Sequence, residues 1–147
     1  MFDIVTRDSV VKHFDELALP SSIIIGDFKE EFHLPITYWN VVDYKRSWYN
    51  SIKEGLSKKD HAALAVSMYE PNSVNFIFIW IIYFEGEKVF LQNQTLFVED
   101  FPEFYPSNIN NFIEPRYTET EEGHKVSEWS TDLNSILDFY KKLGKQI

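Results

Sequence analysis

The sequence contains no cysteine and little glycine, the residue on which many catalytic and nucleotide-binding loops depend. Its 147 residues include only five glycines. Without cysteine the chain has no disulfide, no thiolate metal site and no thiol nucleophile, and this composition suits a reducing compartment. The glycines form neither a GxGxxG nor a GxxxxGK[ST] loop, and no serine stands in a GxSxG motif. Nucleotide binding through such loops and serine hydrolase chemistry of that type are therefore unsupported.

The sequence also lacks metal-binding spacings and long apolar runs. His13, His33, His61 and His124 are widely scattered, and no pair fits an HExxH or similar motif, so we expect no metal ion and no cofactor. The apolar run at residues 76–84 has nine members, whereas a membrane-spanning helix needs about 20. The N-terminus has no basic patch followed by an apolar run, as a signal peptide would. These features predict a cytoplasmic protein that does not enter a membrane.

Negative charge is concentrated in one segment of the chain. The net charge is −9, and residues 99–128 alone hold eight acidic and two basic side chains. Direct binding of nucleic acid is disfavoured, because affinity for phosphates comes mainly from lysine and arginine. A basic protein partner is favoured, because complementary charge accelerates and orients association. A solvated loop without a binding role is the alternative interpretation of this segment.

An apolar hairpin over about residues 75–98 is the predicted centre of the fold. Residues 76–84 are apolar and rich in isoleucine, which favours a strand that is covered on both faces. A Glu-Gly-Glu sequence then predicts a tight turn, and residues 88–98 return as a second strand. On that second strand we expect Gln92 and Gln94 to lie on the solvent side rather than to form a polar site.

Apolar residues at helical spacing predict three helices packed on the hairpin, near residues 8–19, 40–57 and 131–143. Asn40, followed by Asp43 three residues later, is typical of a capping box at the start of the second helix. The predicted strands cluster and are joined by short turns. This order indicates an α+β fold built on a mostly antiparallel sheet.

The hairpin and the segments around it form an ordered set of short motifs, none of which is a catalytic signature. They are residues 23–32 (IIIGDFKEEF), Tyr38-Trp39, 43–45 (DYK), Trp48, 67–69 (SMY), 79–97 (IWIIYFEGEKVFLQNQTLF), 114–116 (EPR), Gly123 and 126–130 (VSEWS). Together, over residues 22–139, they resemble the immunity proteins of bacterial contact-dependent growth inhibition systems, the CdiI family.

The resemblance implies one immunity-protein domain over residues 1–147 that inhibits without catalysis. Such a protein binds the toxic C-terminal domain of the CdiA effector encoded beside it, often a nuclease, and blocks its active site or substrate surface. A nuclease active site attracts phosphate and is usually basic, so an acidic surface can occupy it. Two alternatives remain, which are an acidic adaptor domain without a toxin partner and a small enzyme of unrecognised type.

The candidate toxin contacts lie in the segment 99–122, which lacks periodicity and contains three prolines. Long ordered loops of this kind in compact domains usually carry function. The predicted contacts are the carboxylates of Glu99, Asp100, Glu103, Glu119, Glu121 and Glu122, with Phe104 and Tyr105 as aromatic anchors.

Overall fold

The computed structural model describes residues 1–147, with the side chain at position 71 as the exception. In chain order the elements are β1 (Phe2–Thr6), β2 (Val11–His13), β3 (Glu16–Ile25), β4 (Phe28–Pro35), α1 (Val41–Lys58), β5 (His61–Ala65), β6 (Ile77–Glu85), β7 (Lys88–Leu96), β8 (Glu128–Asp132) and α2 (Leu133–Gln146). Short 3-10 helices lie at Pro71–Ser73, Val98–Asp100 and Pro106–Phe112.

The strands form two four-stranded sheets in which every pairing is antiparallel. In the first sheet β3 is central, with β4 along one side and with β1 and β2 along the other. The second sheet has the order β5-β6-β7-β8. The α+β class is therefore confirmed, but the strands divide between two sheets where the sequence indicated one.

Residues 8–19 form strands instead of the predicted helix. β2 and the first part of β3 occupy this segment, and they are joined by Phe14 and Asp15, which have φ angles of 50° and 64°. Val10, Phe14 and Leu17, the residues at helical spacing, are 50%, 89% and 47% exposed, so they form no buried stripe. Pairing on both sides of β3 stabilises the extended conformation, and this tertiary contact overrides the local pattern.

The predicted central hairpin is confirmed as β6 and β7, with Gly86 at a φ of 70° in the turn. One face of the hairpin is overlaid by residues 97–127, which we call the covering segment. Tyr83 on that face donates a hydrogen bond to the covering segment. The other face is incompletely covered, because Phe76 and Phe78 are 44% and 52% exposed. The expectation of burial on both faces is therefore wrong at the start of this stretch.

The helix predicted at residues 40–57 is confirmed as α1. Asn40 Oδ1 accepts the Asp43 N–H at 2.9 Å and Asp43 Oδ2 accepts the Asn40 N–H at 3.0 Å, which completes the capping box. Tyr44 and Trp48 are fully buried on its inner face. Local capping and the apolar stripe therefore act together to place this helix.

The helix predicted at residues 131–143 is confirmed as α2, and the structure extends it to Gln146. Asp132 caps it by accepting the Ser135 N–H at 2.8 Å. Phe139 on its buried side packs edge-on against Phe2 of β1, with ring centroids 5.0 Å apart. Because α2 also packs against α1, it links the first sheet to the helix layer.

Side chains close the free edge of β5. Ser51 Oγ donates to Ala63 O at 2.6 Å, and Trp48 Nε1 donates to Ala65 O at 2.8 Å. Asn110 Oδ1 accepts the Ala63 N–H at 2.7 Å. An edge covered in this way cannot pair with a strand of another chain.

Candidate partner-binding surface

Two side chains of the hairpin hold the middle of the covering segment. Tyr83 Oη donates to Glu114 O at 2.9 Å, and Gln92 Nε2 donates to Tyr117 O at 3.0 Å. Burial raises the pKa of Tyr83 to about 12, so its phenol keeps its proton and remains a donor. These bonds fix the path of the segment across the sheet.

The prediction that Gln92 lies on the solvent side of its strand is wrong. Its side chain is fully buried, while Gln94 is half-buried. Gln92 Nε2 donates to Glu128 Oε2 at 2.8 Å, and Gln92 Oε1 accepts from Gln94 Nε2 at 2.7 Å. A polar residue in a strand normally indicates an exposed face, but here the covering segment lies over that face and supplies the required partners.

An ion pair joins the covering segment to β8. Arg116 Nε and Nη2 donate to the two carboxylate oxygens of Glu128 at 2.9 and 2.6 Å. The guanidinium lies 3.6 Å from the ring centroid of Phe90. The bond from Arg116, helped by the one from Gln92, holds the pKa of Glu128 below its usual range. A bidentate pair stacked on a ring is stronger than an ordinary surface pair.

Replacing Glu128 by glutamine is expected to lower the free energy of unfolding near neutral pH and to have much less effect in acid. Folding lowers the pKa of Glu128, so its charge stabilises the folded state above the pKa of an unfolded glutamate, about 4.3. That contribution disappears as pH falls through the lower, folded-state pKa. Urea titrations of both proteins over this range should therefore converge.

The control for this comparison is Glu121→Gln, an exposed position in the same covering segment. It should match the wild-type protein at each pH, because its carboxylate has no ion-pair partner among the described residues. A constant difference between Glu128→Gln and wild type at every pH would show that the charge of Glu128 is not what stabilises the fold.

Three predicted contacts lie together on a small hairpin at residues 118–126, which we call the acidic hairpin. Its chain reverses at Gly123, which has a φ of 82° and donates to Thr120 O at 2.9 Å. A β-bridge joins position 119 to position 125 across the turn. Its exposed carboxylates are Glu119, Glu121 and Glu122.

The remaining predicted contacts differ in exposure. The carboxylates of Glu99, Asp100 and Glu103 are exposed. Tyr105 is 68% exposed and is available to a partner. Phe104 is only 8% exposed, and its ring packs 5.6 Å from that of Phe112. Phe104 therefore belongs to the core, which contradicts its assignment as an exposed anchor.

A cluster of exposed phenylalanines was not predicted. The ring centroid of Phe76 lies 5.5 Å from that of Phe78 and 6.2 Å from that of Phe97. All three rings are between 44% and 52% exposed. The sequence does carry a signal for this cluster, because in residues 76–79 phenylalanine and isoleucine alternate and so fall on opposite faces of a strand.

The described residues include no group of three or more histidine, aspartate or glutamate side chains placed to hold a metal ion. None of the helices described is long and apolar enough to cross a membrane. The surface instead offers exposed carboxylates and aromatic rings. Such groups bind other proteins through ion pairs and apolar contact.

Comparison with known proteins identifies the family. Residues 34–139 match the profile of the CdiI N-terminal domain. The chain is 56% identical over 144 residues to a relative named immunity protein CdiI from Enterobacter cloacae subsp. cloacae, covering 98% of this chain and 99% of the relative. A solved structure described as the CdiA-CT/CdiI toxin and immunity complex from Enterobacter cloacae contains a similar chain, with a TM-score of 0.96, 55% identity and 99% coverage of both chains. This chain therefore belongs to the CdiI family of immunity proteins.

Proposed function

We propose that this protein binds the C-terminal toxin domain of the CdiA protein encoded beside it and neutralises that toxin in the cytoplasm. The observation that supports this most is its similarity to a chain of a solved toxin and immunity complex, with a TM-score of 0.96 over 99% of both chains. Because the similarity extends over nearly the whole chain, residues 1–147 act as one immunity domain.

The proposed mechanism is occlusion of the toxin by an acidic surface. The toxin is a nuclease whose active site or substrate surface is basic, since it must attract phosphate. The net charge of −9 and the exposed carboxylates of the acidic hairpin are complementary to such a surface. The candidate contacts are Glu99, Asp100, Glu103, Tyr105, Glu119, Glu121 and Glu122.

Binding alone accounts for neutralisation under this proposal. The protein then requires no catalytic residue and no cofactor, and it needs no contact with nucleic acid or with a membrane. A few desolvated anchors would set the affinity, while the surrounding charges would increase the association rate.

A growth-rescue assay tests the proposed function. The toxin domain encoded immediately upstream is expressed with this protein, with an unrelated immunity protein, or with neither. We expect growth only with this protein. Equal killing in all three strains, with this protein shown to be folded and expressed, would remove the immunity function for this pair.

Charge reversal in the acidic hairpin tests the electrostatic part of the mechanism. The triple variant Glu119→Lys, Glu121→Lys and Glu122→Lys should lower the association rate with the purified toxin domain by about tenfold or more at low salt. A control variant applies the same charge change elsewhere, through Asp8→Lys, Asp27→Lys and Asp138→Lys. If both triple variants slow association equally, overall charge and not the acidic hairpin steers the partner.

A further inference from the structure

Three exposed phenylalanines, Phe14, Phe76 and Phe78, line two connected grooves, and Phe97 packs beside Phe76. One groove of about 500 Å³ is bounded by Phe14 of the β2–β3 turn and by Phe76 and Phe78. A second groove of about 420 Å³ lies between β4 and the β6–β7 hairpin and shares Phe78 with the first. We call these two the aromatic groove. Monomeric proteins seldom expose adjoining large apolar side chains, and such patches often mark binding sites.

The conformation of Phe14 is a second and independent observation. With a φ of 50° it occupies the left-handed region, which is unfavourable for a bulky residue. Its ring is nevertheless 89% exposed, so the strained turn gains no burial from it. Among the described residues, the aromatic ring that contacts Phe14 is that of His13, at 4.3 Å between centroids. The positive φ is that of a two-residue hairpin turn, since Phe14 and Asp15 connect the paired His13 and Glu16, but such turns favour glycine, asparagine or aspartate over phenylalanine.

The charges near the aromatic groove indicate what it binds. Glu30 lines the groove between β4 and β6–β7. Asp100 and Glu114 line a third groove of about 250 Å³, which contains Phe97 and lies on the opposite face of the hairpin, under the covering segment. Among the described residues lining these three grooves there is no lysine or arginine, and the two histidines, His13 and His33, stack on each other with ring centroids 3.9 Å apart. Exposed phenylalanine faces beside the carboxylate of Glu30 attract a cationic side chain through its charge and its apolar stem.

The protein itself contains an example of this chemistry. Arg116 stacks on the ring of Phe90 while its guanidinium binds the carboxylate of Glu128. That arrangement joins a guanidinium, an aromatic face and a carboxylate. The aromatic groove presents the ring and the carboxylate without the cation.

We propose that the aromatic groove is the central anchor site for the toxin domain and receives an arginine- or lysine-bearing segment of it. The identity of the partner rests on the proposed function, whereas the surface and the chemistry of the segment are assigned here. The groove adjoins the predicted acidic contacts, because Glu99 N donates to Asn75 O at 3.3 Å beside Phe76. Aromatic anchors at the centre with a charged rim match the general organisation of protein interfaces.

Alanine substitution of the exposed rings tests the proposal. Phe14→Ala and Phe78→Ala should each weaken binding of the purified toxin domain by about 30-fold, measured by calorimetry, as expected for hot-spot residues. Tyr38→Ala is the control, since Tyr38 is 44% exposed but lines none of the three grooves. It should bind like the wild-type protein.

A glycine at position 14 separates recognition from folding. Glycine adopts positive φ readily, so Phe14→Gly should have a melting temperature at least as high as that of the wild-type protein. It should nevertheless bind the toxin domain as weakly as Phe14→Ala. A lower melting temperature together with unchanged binding would show that the ring has a structural role and would overturn the proposal.

The outcomes distinguish this inference from the proposed function. If the wild-type protein rescues growth and every phenylalanine variant binds normally, the toxin is neutralised through another surface and the aromatic groove is not its anchor site. If the wild-type protein neither rescues growth nor binds the toxin domain, both proposals fail. If sedimentation shows a wild-type dimer that Phe78→Ala dissociates, the occupant is a second copy of this chain, which also overturns the inference.

Discussion

Gly55→Ala is expected to destabilise the protein by about 2 to 3 kcal/mol, although alanine in a helix is normally more stable than glycine. A Cβ at this position of α1 would lie 2.4 Å from His61 O and 3.0 Å from Phe84 Cε2. The first of these atoms belongs to the backbone of β5, so α1 would have to move away from the sheet. The melting temperature should fall by about 4 to 12 °C for a chain of this size.

Ser57→Ala is the matched control for this substitution. Ser57 lies two residues further along α1 and is exposed, so alanine there adds helix propensity without a clash. Its unfolding free energy should equal or slightly exceed that of the wild-type protein. A Gly55→Ala protein as stable as this control would show that α1 can shift on β5 at little cost.

Asn110→Ala is expected to lower the free energy of unfolding by about 2 to 4 kcal/mol, because it leaves buried polar groups without partners. Asn110 Oδ1 accepts from Ala63 N at 2.7 Å and lies 2.9 Å from Ser51 Oγ, whose single proton it shares with Ala63 O. Asn110 Nδ2 donates to Ser51 O at 3.1 Å. These bonds join the covering segment to β5 and α1. Urea unfolding with a fluorescence readout measures the loss.

The neighbouring asparagine provides the control for Asn110. Asn111 is exposed, so Asn111→Ala should change stability by no more than about 0.5 kcal/mol. If the two variants were equally stable, the hydrogen bonds of Asn110 would not be what holds the covering segment. The pair therefore tests a particular set of contacts rather than a general sensitivity to alanine.

The effects of Gly55 and Asn110 should not be additive. Ser51, one turn before Gly55, shares its hydroxyl proton between Ala63 O and Asn110 Oδ1. A shift of α1 caused by a larger residue at position 55 would already strain these bonds. The double variant should therefore be more stable than the sum of the two single losses predicts.

The two proposed contact regions would contribute differently to inhibition. Charges on the acidic hairpin act over a distance and should mainly change the association rate and its salt dependence. The aromatic groove acts only in contact and should mainly change the dissociation rate. Measuring both rates for each variant separates the two contributions. High salt should weaken only the contribution of the acidic hairpin.

Local sequence signals predicted α1, α2 and the central hairpin correctly. The Asn40–Asp43 capping box and the apolar stripe of α1 involve residues within a few positions of each other, so they are visible without a fold. The same reasoning failed for residues 8–19, where an apparent helical spacing includes the exposed Phe14. There the pairing of β3 with strands on both sides decides the conformation.

The candidate surface was predicted only in part. Exposure of the glutamates in the acidic hairpin follows from charge, because an unpaired carboxylate is costly to bury. The burial of Phe104 and the exposure of Phe76 do not follow from residue type, since both are phenylalanines. Which ring is covered depends on the path of the covering segment over the sheet.

The sequence by itself determined the α+β class, both helices, the central hairpin, the concentration of negative charge and the family, because these depend on local hydrogen bonds, periodicity and ordered motifs. Only the tertiary structure decided that Gln92 is buried, that Phe14 lies exposed on a strained turn and that α1 contacts β5 closely at Gly55. The physical reason is that burial and close approach depend on which distant segments pack against a residue. The residue type and its neighbours in sequence do not specify those segments.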